Sequence, residues 1–240
     1  MHRMKYTPFL LLPALLLLTI TAFSARQPEA PEPAALESER GPGVIITSSE
    51  EETAKEKSLP VSEESKSENP PAVYMTKDIS PEGLMKVYEA LNREADGNVA
   101  VKISPGEPGS HYLDANLIKN LVQSVNGTIV ECNTAYGGQR ASTAYHMQLA
   151  ADHGYTAIAD VDIMDGSGSV SLPVEGGTRL TENLVGAGYE NYDFFIILSH
   201  FKGHRMGGFG GAVKNMSIGI ASASGKCLIH SAGASTTERI

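Results

Sequence analysis

Apolar residues recur along residues 81–221 with two alternating spacings, one typical of helices and the other typical of strands. Positions 84, 87, 88 and 91 form a stripe at helical spacing, and Ser80 before Pro81 is a suitable helix cap. We therefore predict helices over residues 81–94, 113–125, 141–152 and 212–221. Strands are predicted over residues 98–104, 128–132, 156–161 and 192–199, and the Gly- and Ser-rich stretch 162–181 is interpreted as a hairpin.

Strands that alternate with helices indicate an α/β fold with a mainly parallel sheet flanked by helices. Residues 192–199 support this class, because their continuous apolar run is typical of a strand buried on both faces. Ligands of such sheets bind outside the carboxyl ends of the strands. Three polar loops, residues 104–111, 133–140 and 199–211, follow predicted strands, and we expect them to converge on one edge of the sheet.

Residues 1–24 have the pattern of a secretory signal peptide: early basic residues, a short apolar run and small residues before a possible cleavage after Ser24. They predict export, and an uncleaved N-terminal membrane anchor is the alternative. Residues 25–71 are rich in Pro, Glu and Ser and poor in aromatic residues, which predicts a disordered acidic linker. The folded domain is then expected over residues 72–240.

The linker is the most acidic part of the chain, whose net charge is −9, because residues 26–71 contain 11 Glu against 5 Lys or Arg. Residues 72–240 are also acidic, with 17 Asp or Glu against 12 Lys or Arg, so the charge of the domain gives no indication of nucleic-acid binding. The chain has two cysteines, Cys132 and Cys227, and whether they pair is left open by the sequence. Two thiols are too few for a complete iron–sulfur cluster.

The segment after the predicted strand 192–199 concentrates the residues most suited to chemistry. It contains His200, Lys202 and His204, and five of residues 203–211 are glycine. Glycines allow a backbone to approach a ligand closely, and imidazole ligates metals or transfers protons near neutral pH. Candidate cofactor-binding residues in this segment and in the two companion loops are Lys102, Glu107, Asn133, Arg140, Lys202, Gly208, Gly210, Gly211 and Asn215.

Three stretches resemble the domain of unknown function 362 family, whose members are described as iron–sulfur-associated. They are Val99–Glu107, Cys132–Arg140 and, most specifically, Ser199–Asn215. Many relatives carry a ferredoxin-like cysteine module after the position of His230. The resemblance implies such a module as a partner of this domain, or as a segment lost from it or missing from a truncated chain.

The pattern His204-x3-Gly208-Phe209-x-Gly211-x2-Lys214, followed by His230, is also similar to the active-site segment of lactate racemase and related nickel-pincer enzymes. That similarity implies that Lys214 holds a nickel-type cofactor, that His204 moves a proton and that His230 ligates the metal. Lysine amines attach to carbonyl-type carbons, and neutral imidazoles ligate first-row metals. His200 is a further candidate metal ligand.

Three functions are consistent with these features. The first is an exported enzyme domain, a metal- or cofactor-dependent oxidoreductase or isomerase, with His204 and Lys214 as catalytic residues. The second is an iron–sulfur-linked redox protein whose ferredoxin-like module lies outside this chain. The third is a non-catalytic module that binds a small anion through the glycine-rich segment. All three predict a small-molecule ligand, with membrane contact only through an uncleaved N-terminus.

Overall fold

The computed structural model describes residues 72–204 and 207–237, and the backbone of residues 18–24. The predicted linker and most of the predicted signal peptide therefore lie outside the described residues. The helices are α1 Pro81–Ala90, α2 Ala115–Ser124, α3 Thr143–Asp152, α4 Ala212–Ser217 and α5 Ala223–His230. The strands are β1 Leu18–Ser24, β2 Val99–Lys102, β3 Thr128–Glu131, β4 Val161–Ile163, β5 Ser169–Pro173, β6 Glu182–Gly186, β7 Phe194–His200, β8 Lys202–His204 and β9 Gly208–Gly210.

The main sheet has the strand order β1-β7-β2-β3-β4. Strands β7, β2, β3 and β4 are parallel to one another, and Val101 of β2 aligns with Ile196 on one side and Ile129 on the other. Helices flank this sheet, so the predicted α/β class with a mainly parallel sheet is confirmed. Strands β5 and β6 form a separate antiparallel hairpin, as do β8 and β9.

Strand β1 lies at the edge of the sheet, antiparallel to β7, with Leu18 opposite His200 and Ser24 opposite Phe194. A chain cleaved after Ser24 would lack this strand. The signal peptide stays a prediction, since the pairing of this segment does not test export. No helix within the described residues is long and apolar enough to span a membrane.

Strand β7 explains why its sequence is apolar at every position. Ile196 and Leu198 belong to the cluster that packs α1 and α2 on one face of the sheet, and Phe195 and Ile197 belong to the cluster on the opposite face. Because side chains alternate along a strand, two covered faces require apolar residues at consecutive positions. The burial of β7 therefore matches the expectation from its sequence.

Helix caps also follow the sequence. The Ser80 side chain accepts a hydrogen bond from the Gly83 amide at 3.0 Å, as expected for the residue before Pro81. Asp114 does the same for the Asn116 amide at 2.7 Å, so α2 begins after this residue. Such caps satisfy amide groups that have no partner within the helix.

The predicted strand 156–161 is wrong in position. Residues Tyr155–Ala157 form a 3₁₀ turn, and the strand begins only at Val161. Gly154, with φ of 81°, ends α3, and the buried Tyr155 hydroxyl donates to the Leu113 carbonyl at 2.6 Å. The turn is thus held by a contact distant in sequence, which a local apolar pattern does not reveal.

Two further regions differ from expectation. The predicted loop 199–211 contains the short hairpin β8–β9, and Gly208 has the positive φ of 72° that its turn requires. Helix α5 was not predicted, because it is short and its buried face contains a glycine and a lysine. The hairpin predicted over 162–181 exists as β5–β6, displaced toward the C-terminus.

The packing of α5 on β6 can be tested at Gly225. A Cβ atom at this position would overlap the carbonyl oxygen of Leu184 in β6. Although alanine favours a helix, this overlap dominates, and we expect Gly225→Ala to lower the free energy of unfolding by about 2 kcal/mol or more in chemical denaturation. Gly137→Ala is the matched control, because its Cβ would meet no atom within 4 Å. Equal stability of the two variants would contradict this placement of α5.

Candidate functional site

A cavity of about 270 Å³ lies where the carboxyl ends of β2, β3 and β7 meet α4 and α5. The three loops expected to converge all contribute to it or to its wall. Five cationic side chains line it, Lys102, Arg140, Lys202, Lys214 and Lys226. Three histidines line it, His200, His204 and His230. Glu131 is the single carboxylate among the lining residues.

Lys102 is fully buried at the end of β2. Its ammonium group is ion-paired with Glu131, at the end of the neighbouring strand β3, and donates to the Ile103 carbonyl at 2.6 Å and to Asn215 Oδ1 at 2.7 Å. Burial lowers the pKa of Lys102, and the nearby charges of Lys226 and Arg140 lower it further. All three donor hydrogens of this lysine thus have acceptors within the protein.

Asn215 joins α4 to the sheet. Its Nδ2 atom lies 3.2 Å from the Leu198 carbonyl, 3.0 Å from Ser199 Oγ and 3.3 Å from the Lys102 carbonyl, each of which accepts from it. Both polar atoms of this buried amide are therefore engaged by the ends of β2 and β7. Asn215 lines the cavity, and its hydrogen bonds hold α4 against the ends of β2 and β7.

Arg140 connects the first two loops. Its Nη2 and Nε atoms each lie 2.7 Å from Glu107 Oε1, and Nη1 lies 3.4 Å from Glu131 Oε2. Glu107 is half exposed and lies outside the cavity lining. Glu107 therefore holds Arg140 in place and does not itself line the cavity.

Asn133 lies behind the cavity wall rather than in it. Its amide nitrogen Nδ2 donates to Thr143 Oγ1 at 2.9 Å, and Oδ1 lies 3.3 Å from Nδ1 of the buried His146. Burial, then the charges of Arg140 and Lys102, lowers the pKa of His146 to about 3. The imidazole is therefore neutral at pH 7, with Nε2 lacking a hydrogen-bond partner among the described residues and 3.7 Å from Glu131 Oε2.

The mouth of the cavity is formed by the hairpin β8–β9 and by α4. Lys202 is exposed on β8. Lys214 is partly buried on α4, the helix that follows Gly210 and Gly211 in the chain. A Cβ at Gly210 would lie 3.7 Å from Lys214 Cδ, so this glycine lies directly beside the lysine stem. Burial lowers the pKa of Lys214, and the charges of Lys202, Lys226 and Arg140 lower it further. Gly208 shapes the turn and is not part of the cavity lining.

The three histidines lie on different elements around the same cavity. His230, at the end of α5, has Nε2 at 2.8 Å from the Tyr136 hydroxyl, and burial followed by the charges of Lys214 and His204 lowers its pKa. His204 Nδ1 accepts from the Gly207 amide at 3.1 Å. Burial and Lys202 lower the pKa of His200. No group of three His, Cys, Asp or Glu residues within the described ranges is arranged to hold a metal ion.

Lys226, Glu131 and Cys132 line the cavity but were not among the predicted site residues. Lys226 is buried on α5, its ammonium group donates to the Ala221 carbonyl, and burial lowers its pKa. Opposite charges at the ends of two predicted strands, Lys102 and Glu131, were a usable signal for their pairing. No comparable signal exists for Lys226, because α5 itself was not predicted.

The sequence profile described as domain of unknown function (DUF362) matches residues 99–240. The chain belongs to this family. The three stretches that carry the resemblance form the three loops at the cavity, so the DUF362 match coincides with the candidate site. Comparisons with curated proteins and with solved structures gave no match. The local similarity to nickel-pincer enzymes has no support from these comparisons.

Both cysteines of this DUF362 domain, Cys132 and Cys227, are buried and unpaired. Cys132 Sγ donates to the Ile220 carbonyl at 3.2 Å, and burial raises the pKa of this thiol to about 11, which favours its protonated form. A ferredoxin-like partner module stays a prediction.

The buried pair can be tested by removing one charge or both. Glu131→Gln leaves the Lys102 ammonium buried with a neutral neighbour, and we expect a loss of about 3 kcal/mol in the free energy of unfolding. The double variant Lys102→Met with Glu131→Leu removes both buried charges and is expected to recover most of this loss. Chemical denaturation measures both. Glu107→Gln, at a half-exposed carboxylate, should cost less than about 1 kcal/mol. A Glu131→Gln protein as stable as the wild type would refute the pairing.

Proposed function

We propose that this DUF362 domain binds a small, multiply charged anion in the cavity at the carboxyl edge of its sheet. The observation that carries the proposal is the charge of the lining, five cationic side chains against one carboxylate. That carboxylate, Glu131, already pairs with Lys102 and Arg140. Lys202, Lys214 and Lys226 have no carboxylate within ion-pairing distance among the described residues.

The energetics of these lysines support an anionic ligand. Burial lowers the pKa values of Lys214 and Lys226, and neighbouring cations lower that of Lys214 further, so holding both charges in the cavity has a free-energy cost. A bound anion offsets this repulsion and stabilises the charged form of each amine. Binding should therefore be accompanied by proton uptake when the pH lies near the lowered pKa values.

The size of the cavity restricts the ligand. A volume of about 270 Å³ is near the lower limit of small-molecule sites. It suits a dicarboxylate, an inorganic phosphate or a compound with one such group and a few carbon atoms. Charge-assisted hydrogen bonds from lysine and arginine are the interactions that recognise these groups.

Anion binding can be tested with oxalate, citrate, inorganic phosphate and pyrophosphate. Thermal unfolding should show stabilisation by at least one of them, and calorimetry should give its dissociation constant. Lys214→Gln and Lys202→Gln are each expected to weaken binding about tenfold, since each removes a charged donor. Lys119→Gln changes an exposed lysine on α2 outside the cavity lining and should leave the dissociation constant unchanged. If none of the four anions binds, the proposed function fails.

A second candidate function is a metal- or cofactor-dependent enzyme with His204 and Lys214 as catalytic residues. The supporting observation is that His200, His204 and His230 line the same cavity as Lys214. Neutral imidazoles are suitable ligands for first-row metals. Within the described residues the ligands do not form a group of three, so a metal here requires a donor from a bound molecule or a rearrangement of the hairpin.

Elemental analysis separates the two candidates. A metal-dependent enzyme should contain or take up one nickel, zinc or iron per chain, and His230→Ala should reduce that content by at least about tenfold. His153→Ala is a matched control, because His153 lies outside the cavity lining and bonds to the Pro105 carbonyl. Protein that gains no metal after incubation with each ion would exclude a metal-dependent enzyme and leave anion binding unaffected.

A further inference from the structure

The four lysines of the cavity differ in what their ammonium groups contact. Lys102 is bonded to three acceptors, and Lys226 donates to the Ala221 carbonyl. Lys202 is exposed on the hairpin. Lys214 is partly buried, points its stem past Gly210 and makes no ion pair with a described residue. It is the lysine most available to a molecule inside the cavity.

The surroundings of Lys214 favour a neutral amine. Cations from several elements line the same cavity as Lys214: Lys202 on β8, Lys226 on α5, Arg140 after β3 and Lys102 on β2. The charges of Lys202, Lys226 and Arg140 lower the pKa of Lys214. Glu131 is the nearby anion, and its charge is shared between Lys102 and Arg140. A lysine that is partly desolvated and surrounded by cations loses its proton more readily than an exposed lysine, so a larger fraction of it is the nucleophilic neutral amine.

We propose that Lys214 forms an imine with the carbonyl carbon of a small oxo acid bound in this cavity. The proposal rests on the proposed anion site, since the carboxylate of the oxo acid is held by the cations around Lys214. It does not depend on the similarity to nickel-pincer enzymes. It names the ligand class of the site as molecules that combine a carboxylate with a ketone or aldehyde.

The reaction balances without an oxidant or reductant. The Lys214 ammonium group first gives one proton to a neutral imidazole of the cavity. The neutral amine then adds to the carbonyl carbon, and a second proton passes from its nitrogen to the carbonyl oxygen to give a carbinolamine. The imidazolium returns the first proton to the new hydroxyl, which leaves as water, and the protonated imine carries the positive charge that the lysine had. The carboxylate stays bound throughout. The charge of the cavity is therefore the same before the step, when Lys214 is protonated, as after it, when the imine is protonated.

A histidine of the cavity, His230, can carry the protons of this step. His230 is close enough to Lys214 for the charge of the lysine to lower the pKa of its ring, and its Nε2 atom is hydrogen-bonded to the Tyr136 hydroxyl. A neutral imidazole in this position can take the proton released by the amine and return it to the departing oxygen. His230 would then act as a proton carrier beside Lys214, without a bond to the ligand.

The experiment is reductive trapping of the wild-type protein. Pyruvate, 2-oxoglutarate and oxaloacetate are each added with sodium cyanoborohydride, followed by intact mass and peptide mapping. We expect one adduct per chain, with Lys214 labelled about tenfold or more above Lys119. Acetone, a neutral ketone, should not show this preference. Lys214→Arg, which keeps the charge but cannot form an imine, should lose the adduct, and Lys119→Arg should keep it.

Circular dichroism and thermal unfolding are used to test whether Lys214→Arg is folded, and in a folded variant a lost adduct reports on the amine. Labelling spread evenly over the lysines, or retained in Lys214→Arg, would overturn the proposal. Oxalate is an unreactive anion. If wild-type protein binds oxalate but forms no adduct with any of the three oxo acids, the imine proposal is refuted and the anion site stands. Failure of trapping in protein that also binds none of oxalate, citrate, inorganic phosphate and pyrophosphate would refute both proposals.

Discussion

The ion pair between Lys102 and Glu131 is the constraint on which the arrangement of the cavity depends. Two charged side chains at the ends of adjacent parallel strands are buried almost completely, and such burial is unfavourable unless every donor and acceptor is satisfied. Asn215 supplies one acceptor from α4, and Arg140 reaches the other carboxylate oxygen from the loop after β3. Satisfying one pair thereby fixes the positions of three separate chain segments.

The same requirement shapes the electrostatics of the site. Because Glu131 is shared by two cations, no other carboxylate among the described lining residues is left to pair with the remaining lysines. A positive cavity with partly desolvated walls attracts anions more strongly than the same charges would on an open surface. The domain as a whole is acidic, with 17 Asp or Glu against 12 Lys or Arg over residues 72–240, and this conceals the local excess of positive charge. Overall charge therefore says less about the ligand than the distribution of charge at one edge of the sheet.

Much of the fold could be predicted from local patterns, and the exceptions have physical causes. The apolar run of β7, the Ser80 cap and the first two helices follow from spacing and capping alone. Helix α5 escaped prediction because its buried face includes Lys226 and Gly225, and the strand after Tyr155 was displaced because a distant carbonyl holds that turn. Contacts between residues far apart in sequence cannot be derived from the periodicity of either segment.

The candidate site, like the fold, could be predicted from the sequence only in part. Residue type and glycine density led to the loop with Lys202, His204 and Lys214, and these side chains do line the cavity. Glu107 and Asn133 are one step removed, since they hold Arg140 and His146 and do not face the cavity. Sequence reveals which residues are suited to chemistry, whereas the distinction between facing a ligand and supporting a neighbour depends on the direction of each side chain.

The burial of both thiols has a consequence for how the folded domain responds to oxidising and reducing conditions. Cys132 and Cys227 are enclosed and unpaired, and they are the only two cysteines of the chain. Disulfide exchange requires an accessible thiolate, so neither residue can react with glutathione or another protein until the core opens. No disulfide contributes to the stability of the native fold, so the free energy of unfolding should not change when a reductant is added.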